Sequence, residues 1–240
     1  MRFSPPLKRG QLLQRYRRFL ADVTLDTGET ITASCPNTGS MLGLTEPGST
    51  VWLSESDSAT RKYRHTWELI ETDIGKGASL VGINTGHPNR LVAEAIEARR
   101  VRKLGGYHTL RREVKYGAAS RIDILLEDAR KGCCYVEIKN VHLMRKPGLA
   151  EFPDSVTARG VKHLQELTEM VAQGHRAVML FLIQRSDATR FTLAGDLDPN
   201  YAQAFREASN AGVEAMAYRC LMSPKEIVLQ KQVPIVMTEG

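Results

Sequence analysis

Between residues 12 and 84 almost no apolar residue recurs at helical spacing, whereas after Pro88 helical stripes alternate with strand-like runs. This change of period constrains the chain more than any other feature. A strand buries one face at period 2 and a helix buries one stripe at period 3.6, so a segment patterned for one does not serve as the other. The first part holds β-branched and aromatic runs near residues 12–25, 30–34, 50–54, 63–73 and 80–83, punctuated by Asp26-Thr27-Gly28-Glu29 and Glu46-Pro47-Gly48. Five short strands over so few residues predict a small closed β-barrel.

The second part begins with a helical pattern over 91–104, where Leu91, Ala95 and Ala98 share a face. Strands follow at 113–116, 121–126 and 133–141. A helix over 161–173 presents Val161, Leu164, Leu167 and Val171 as one stripe, and Gly174 stops it. Residues 176–184 read as a buried strand, and Asp198-Pro199 opens a further helix, with Asp198 as its N-cap and Gly212 closing it. Helix, three strands, helix and strand make an α/β core. The turn formers of Asn84-Thr85-Gly86-His87-Pro88 place the boundary, giving a barrel over residues 1–85 and an α/β domain over 86–240.

The chemistry concentrates at Asp123 in Arg-Ile-Asp-Ile and at Glu137 and Lys139 in Tyr-Val-Glu-Ile-Lys-Asn. Positions i and i+2 of a strand share a face, so Glu137 and Lys139 point together while Val136 and Ile138 point into the core. The short link over 127–132 makes the two strands antiparallel neighbours, which lets Asp123 reach the face of Glu137. Two carboxylates there are a hard-oxygen site suited to Mg²⁺ or Mn²⁺, and the lysine can position water and offset charge on a phosphate. The competing reading is a solvated cross-strand ion pair of little energetic value. Against it, Ile122, Ile124, Val136 and Ile138 flank the charges, as on central strands, where a charged face needs an open cleft or an ion.

This arrangement resembles the PD-(D/E)xK nuclease superfamily. The resemblance implies a further acid on the first core helix as a metal ligand, for which Glu94 is the candidate, with Glu97 one turn on. Glu113 on the first core strand is the other catalytic candidate.

Longer strings carry a closer resemblance: residues 17–23 (RRFLADV), 35–41 (CPNTGSM), 66–69 (TWEL), 82–85 (GINT), 113–117 (EVKYG), 135–141 (YVEIKNV), Phe152-Pro153-Asp154, Arg159-Gly160 and Lys162-His163-Leu164. Over nearly its whole length the chain resembles the sugar fermentation stimulation protein family. The resemblance implies an N-terminal OB-like five-stranded barrel, a C-terminal PD-(D/E)xK nuclease-like α/β domain, non-specific DNA binding and a regulatory part in maltose metabolism.

Charge fits that expectation. Lys plus Arg number 33 against 27 Asp plus Glu, a net charge of +6, and the excess is localised. Residues 8–18 carry five basic and no acidic side chains, and a second basic segment runs from Arg90 to Lys115. Arg15, Arg17 and Arg18 interleave with Tyr16 and Phe19, and Lys62 and Arg64 with Tyr63 and Trp67, the mixture that holds phosphates and stacks bases in an OB fold. For those aromatics the barrel's core is the favoured place, because a barrel this small needs large interior side chains, whereas the arginines favour phosphate contact. Arg99, Arg100 and Lys103 are the phosphate candidates of the second segment.

Other clusters weigh less. The turn formers of Cys35-Pro36-Asn37-Thr38-Gly39-Ser40 suit a structural loop better than a thiol or anion site. The six histidines lack zinc-ligand spacing, although His163 could flank a phosphate near Lys139. The longest apolar run, residues 177–183, is far too short to span a bilayer, and no cysteine pair is spaced C-x-x-C, so a cytoplasmic protein is expected, with no membrane partner. The function these readings favour is a DNA-binding protein, single-stranded or branched DNA included and RNA not excluded, whose nuclease-like domain hydrolyses phosphodiesters with Mg²⁺ or Mn²⁺. The alternative is a non-catalytic DNA-binding regulator of sugar metabolism.

Overall fold

The computed structural model describes residues 1–75, 77–117 and 120–236. Six strands come first: β1 (Lys8–Tyr16), β2 (Leu20–Leu25), β3 (Thr30–Ser34), β4 (Thr50–Glu55), β5 (His65–Asp73) and β6 (Ala78–Gly82). They lie in the order β3-β2-β1-β4-β5-β6, and β3 also pairs with β5, Ala33 with His65 and Ser34 with Thr66, which closes the first five into a barrel. Its interior holds Leu12, Val23, Ala33, Val51, Leu53, Trp67, Ile70 and Val81. Alternate positions along each strand supply them, as a half-buried sheet requires.

The expected single strand over 12–25 is instead a hairpin, β1 antiparallel to β2 with Tyr16 opposite Leu20. Arg17 and Arg18 make the turn at φ +48° and +65°. The sequence carries none of the glycine or asparagine that usually marks such a turn, which is why the break is not visible in it.

Beyond the barrel come α1 (Pro88–Glu97), a 3₁₀ turn at Arg102–Leu104, β7 (Thr109–Tyr116), β8 (Ser120–Asp128), β9 (Gly132–Val141), β10 (Leu143–Lys146), β11 (Leu149–Phe152), α2 (Ala158–Ala172), β12 (Arg176–Ile183), β13 (Arg190–Leu193), α3 (Pro199–Asn210), β14 (Glu214–Met222) and β15 (Ile227–Val233). The main sheet runs β15-β14-β12-β9-β8-β7, and β12 lies between β9 and β14, parallel to both. All seven residues of the run 177–183 are buried in this central strand. Removing a large apolar side chain from water contributes about 1.5–3 kcal/mol, so this strand anchors the domain.

Helix α1 covers one face, its Leu91, Val92, Ala95 and Ile96 packing in one cluster with Ile124, Val136, Ile138 and Leu180. Helices α2 and α3 cover the other, where Leu164, Leu167 and Phe205 meet Met179, Phe181 and Ile183. Asp198 caps α3 as expected, accepting from the Tyr201 N–H at 3.0 Å, and also accepts from the Thr157 N–H at 2.7 Å, which joins the starts of α2 and α3. Helix α2 is rotated from the expected stripe. Its buried residues are Gly160, His163, Leu164, Glu166, Leu167 and Met170, with Val161 and Val171 at the margins. The rotation turns two polar side chains, His163 and Glu166, inward.

The two parts pack together. Leu7 and Leu69 of the barrel join the core cluster beneath α1, and the Gly82 N–H donates to the Gln184 carbonyl at 2.8 Å. A Cβ at Gly82 would lie 2.5 Å from Gln184 Oε1, so glycine is needed for that approach. The loop after β3 is tied in too, with the Met41 N–H donating to Asp154 Oδ2 at 2.9 Å.

Candidate functional site

The antiparallel registers align three carboxylates. Arg112 pairs with Ile124 and Val114 with Ile122, which brackets Glu113 opposite Asp123; one step beyond the Ile124–Val136 pair sets Asp123 opposite Glu137. Glu113, Asp123 and Glu137 thus form a row across β7, β8 and β9, and all three line one cleft of about 650 Å³. The sheet is irregular there. Glu113 has a left-handed φ of +54°, and the alternation of β8 breaks, Ile122 packing on the α2 side and Ile124 on the α1 side. Strained backbone of this kind persists where surrounding structure holds it, often at functional sites.

Each carboxylate has a defined neighbourhood. Asp123 Oδ2 accepts the Ile138 N–H at 2.7 Å, and Asp123 Oδ1 accepts from Asn89 Nδ2 at 2.9 Å. The same amide donates to Glu113 Oε1 at 2.5 Å. Lys139 Nζ lies 2.8 Å from Glu137 Oε1, as the i, i+2 spacing predicts, and 3.1 Å from His163 Nδ1. His163 Nδ1 also meets Glu137 Oε1 directly. Arg159 Nε donates to His163 Nε2 at 3.2 Å, so Nδ1 carries the hydrogen that faces Glu137. His163 therefore orients a carboxylate, and it lies beside Lys139 on the cleft, where the sequence places it.

Burial, and then the Glu137 charge, push the Asp123 carboxyl up to about 6. Burial pushes Glu137 up as well, but the hydrogen bond from His163 and the charge of Lys139 outweigh it and hold Glu137 below the usual carboxylate range. Glu137 Oε2 is buried without a hydrogen-bond partner. A buried carboxylate oxygen in that state, beside a second carboxylate that resists ionising, is the electrostatic setting a hard divalent cation relieves, and oxygen ligands are what such a cation takes. Asp123 and Glu137 therefore fit that group, with Glu113 next to them in the row. Among the described residues no three His, Cys, Asp or Glu side chains converge as a ready-made ligand set; Glu137 Oε1 is already engaged by His163 and Lys139.

Glu94 is not brought to this cleft. Its carboxylate pairs with the Met1 amino group at 2.9 Å and with Arg90 at 2.8 Å, and together with Glu97 it borders a different depression. The residue that α1 contributes is Asn89, at the helix start rather than a turn and a half along it. Arg121, Arg159 and Lys162 supply the cleft's remaining cations, and none was singled out from the sequence for phosphate contact. Only the side of the sheet and helix on which they emerge distinguishes them from other surface bases.

The barrel candidates divide. Arg15 turns inward, its Nη2 donating to the carbonyls of Arg18, Asn37 and Gly39 at 2.8–2.9 Å, so it braces the loop after β3 and is not free for phosphate. Arg17 and Arg18 are exposed. Lys62 is exposed and lies over the Tyr63 ring at 5.4 Å, while Arg64 pairs with Glu55 at 3.5 Å. Trp67 is core and Phe19 is exposed, so the two readings of the aromatics hold for different residues. Arg99, Arg100 and Lys103 are exposed past the C-terminal end of α1, whereas the cleft lies at its N-terminal end. A helix of ten residues separates the two by about 15 Å.

A model of the SfsA N-terminal OB domain matches residues 13–83, and a model of the sugar fermentation stimulation protein RE domain matches residues 86–226. The chain belongs to the sugar fermentation stimulation protein family. A sugar fermentation stimulation protein homolog from Sinorhizobium medicae is 60% identical over 228 residues, covering 95% of this chain and 94% of that one. One from Brucella anthropi is 59% identical over 235 residues, covering 98% and 100%. The structure of Pyrococcus furiosus SfsA in complex with Ca²⁺ superposes with a TM-score of 0.86 at 28% identity, covering 98% of each chain. The closed barrel is thus an OB domain, and the α/β domain is the RE domain of this family. Within this family fold the string over 35–41 is the loop that Arg15 braces and Asp154 holds.

Proposed function

We propose that this protein binds DNA without sequence preference in the cytoplasm and hydrolyses phosphodiester bonds with Mg²⁺ or Mn²⁺ in the cleft that crosses the middle of β7, β8 and β9. The observation that carries the reading is the row Glu113, Asp123 and Glu137 with Lys139 beside it, rimmed by Arg121, Arg159 and Lys162. The Ca²⁺ complex of the Pyrococcus furiosus relative supports a divalent-cation site in this fold.

Asp123 and Glu137 would hold the cation, with Glu113 completing or orienting the set. When bound, such a cation supplies Lewis-acid polarisation of a phosphate oxygen and makes water easier to deprotonate. Lys139 keeps two further N–H donors beside its bond to Glu137, enough to orient water or meet a phosphate oxygen. The Arg159–His163–Glu137 chain fixes the glutamate in one rotamer. Asn89, with both amide hydrogens given to carboxylates, holds Asp123 and Glu113 side by side. Arg121, Arg159 and Lys162 offset the repulsion between the acidic row and a phosphodiester backbone.

A second reading, DNA binding without cleavage by a regulator of sugar metabolism, draws on one observation. Lys139 and His163 both engage Glu137 Oε1, which leaves that oxygen occupied before any cation arrives.

The test incubates the protein with single-stranded, duplex, flapped and branched DNA in Mg²⁺ or Mn²⁺, beside Asp123→Ala and Lys139→Ala. Cleavage that falls at least a hundredfold in both variants is the expected result. Equal inertness of all three proteins, with binding intact, leaves the regulatory reading standing alone.

A further inference from the structure

The tip of the β1–β2 hairpin is costly as built. Arg17 and Arg18 take left-handed φ values of +48° and +65°, which tight hairpins ordinarily give to asparagine or glycine, since an L side chain there is sterically strained. The next residue, Phe19, is 49% exposed in a barrel whose other large side chains are mostly inside. Leu42, on the adjoining loop, is similarly exposed at 47%. Two left-handed, exposed arginines followed by a half-exposed aromatic are more than a tight turn requires. They do place two exposed cations next in sequence to a half-exposed aromatic, the residue types that grip a phosphate backbone and stack an unpaired base.

The tip is also wired to the cleft. The Cys35 N–H donates to the Phe19 carbonyl at 2.7 Å, and Arg15 Nη2 donates to Arg18, Asn37 and Gly39 carbonyls at 2.8–2.9 Å. Thr85 Oγ1, on the rim of the cleft, donates to the Pro36 carbonyl at 2.6 Å. Hairpin tip, braced loop and cleft rim therefore form one continuous surface, along which Thr38 and Ser40 are exposed.

We propose that Phe19, flanked by Arg17 and Arg18, is a stacking site for a single-stranded DNA segment, and that the braced loop over residues 36–42 carries that strand to the cleft lined by Glu113, Asp123 and Glu137. The inference rests on the nucleic-acid reading above and deepens it: the favoured ligand is DNA with a single-stranded extension, held by the barrel while its junction with duplex enters the cleft. A fully paired end offers Phe19 no free base face.

The experiment measures fluorescence anisotropy of the full-length protein with a single-stranded oligonucleotide, a blunt duplex and a duplex bearing a single-stranded tail. Wild type is compared with Phe19→Ala, Phe19→Trp and Arg17→Ala/Arg18→Ala. Phe19→Ala should weaken single-stranded and tailed binding roughly fivefold to a hundredfold, the usual effect of losing one stacked base, and leave blunt duplex unchanged. Phe19→Trp should restore affinity, which separates stacking from a folding defect. The double arginine variant should weaken binding and flatten its salt dependence. Unchanged single-strand affinity in Phe19→Ala overturns the stacking site, and persistent metal-dependent cleavage in the same sample shows that the proposed function survives it. If Phe19→Ala instead converts a dimer to a monomer without changing oligonucleotide affinity, the patch is a self-association surface and the proposal falls. Absence of binding to any of the three DNAs by wild type overturns both readings.

Discussion

Asn89 Nδ2 donates to Asp123 Oδ1 at 2.9 Å, which fastens the first turn of α1 to β8 by a side chain alone. Its other amide hydrogen goes to Glu113 at 2.5 Å, so one neutral group separates two carboxylates. Asn89→Ala removes both bonds and leaves the two acids facing each other. Without divalent cation the variant should lose about 1–3 kcal/mol of stability, the usual effect of stripping donors from partly buried charged groups. Its Asp123 carboxyl should rise further above about 6, because the Asn89 bond is one of the influences lowering it. Chemical denaturation checks the first outcome and carbon-detected NMR titration the second; a variant as stable as wild type would show that the bridge contributes nothing.

Stability should carry the imprint of Asp123 across mildly acidic pH. Its carboxyl is raised from an ordinary 3.8 to about 6, so the folded protein binds the proton more tightly than the unfolded chain does. The resulting stabilisation is complete below 3.8 and is lost as pH rises through about 6. Carboxylates held below the usual range, Glu137 and Asp154 among them, act in the opposite direction, so the effect is read as a difference between proteins. Asp123→Asn, neutral throughout, should gain about 2–3 kcal/mol relative to wild type between pH 4 and pH 7. Mn²⁺ should raise the wild-type melting temperature above pH 6, where Asp123 is ionised, and chelation should reverse the rise. A difference between the two proteins that does not vary with pH would place the titration elsewhere.

The positions of Glu137 and Lys139 were legible because a strand has only two faces, and a spacing of two leaves no choice of side, and that of Asp123 because the short link over 127–132 sets its strand antiparallel beside theirs. The contribution of α1 was not. A helix offers positions all round its circumference, and Glu94 matches an acidic ligand in type, yet its face turns to Met1 and Arg90 while Asn89 meets the row. The barrel was legible from period and turn residues, apart from the β1–β2 break, where arginines occupy the turn. The four-residue strands β10, β11 and β13 were missed because two alternations are too few to show a period. Arg15 illustrates a further limit: its charge was visible, but the carbonyls that surround it come from a loop more than twenty residues away.

Glu68 on β5 is nearly as buried as any charged group in the chain, and the link between barrel and cleft depends on it. Ser54 donates to it at 2.6 Å, Asn84 at 2.8 Å, and His87 Nε2, which immediately precedes α1, lies at 2.7 Å. Burial pushes Glu68 up, but the bond and charge of His87, with Ser54 and Asn84, hold it below its ordinary 4.5. Its contribution is therefore present above 4.5 and lost as pH falls through the lower folded value. Glu68→Gln should cost about 2–4 kcal/mol at pH 7 by leaving buried donors mismatched, and the gap to wild type should narrow near pH 4. Urea denaturation at the two pH values decides it; a gap that widens at low pH would contradict the assignment.

Replacing the strained tip should separate stability from binding. In Arg17→Asn/Arg18→Gly each left-handed position receives a residue that occupies it with little strain, so the barrel should gain about 1–2 kcal/mol. The same change removes two exposed cations beside Phe19, so affinity for a single-stranded tail should fall and its salt slope should shrink, with cleft residues untouched. Thermal melts and anisotropy titrations on one preparation give both readouts. A more stable protein with weaker binding is the outcome expected if the strain is maintained by the ligand contact. A more stable protein that binds tailed DNA as well as wild type would leave the two left-handed arginines without a role in recognition. A less stable one would mean that their guanidinium groups support the hairpin in ways its φ angles do not reveal.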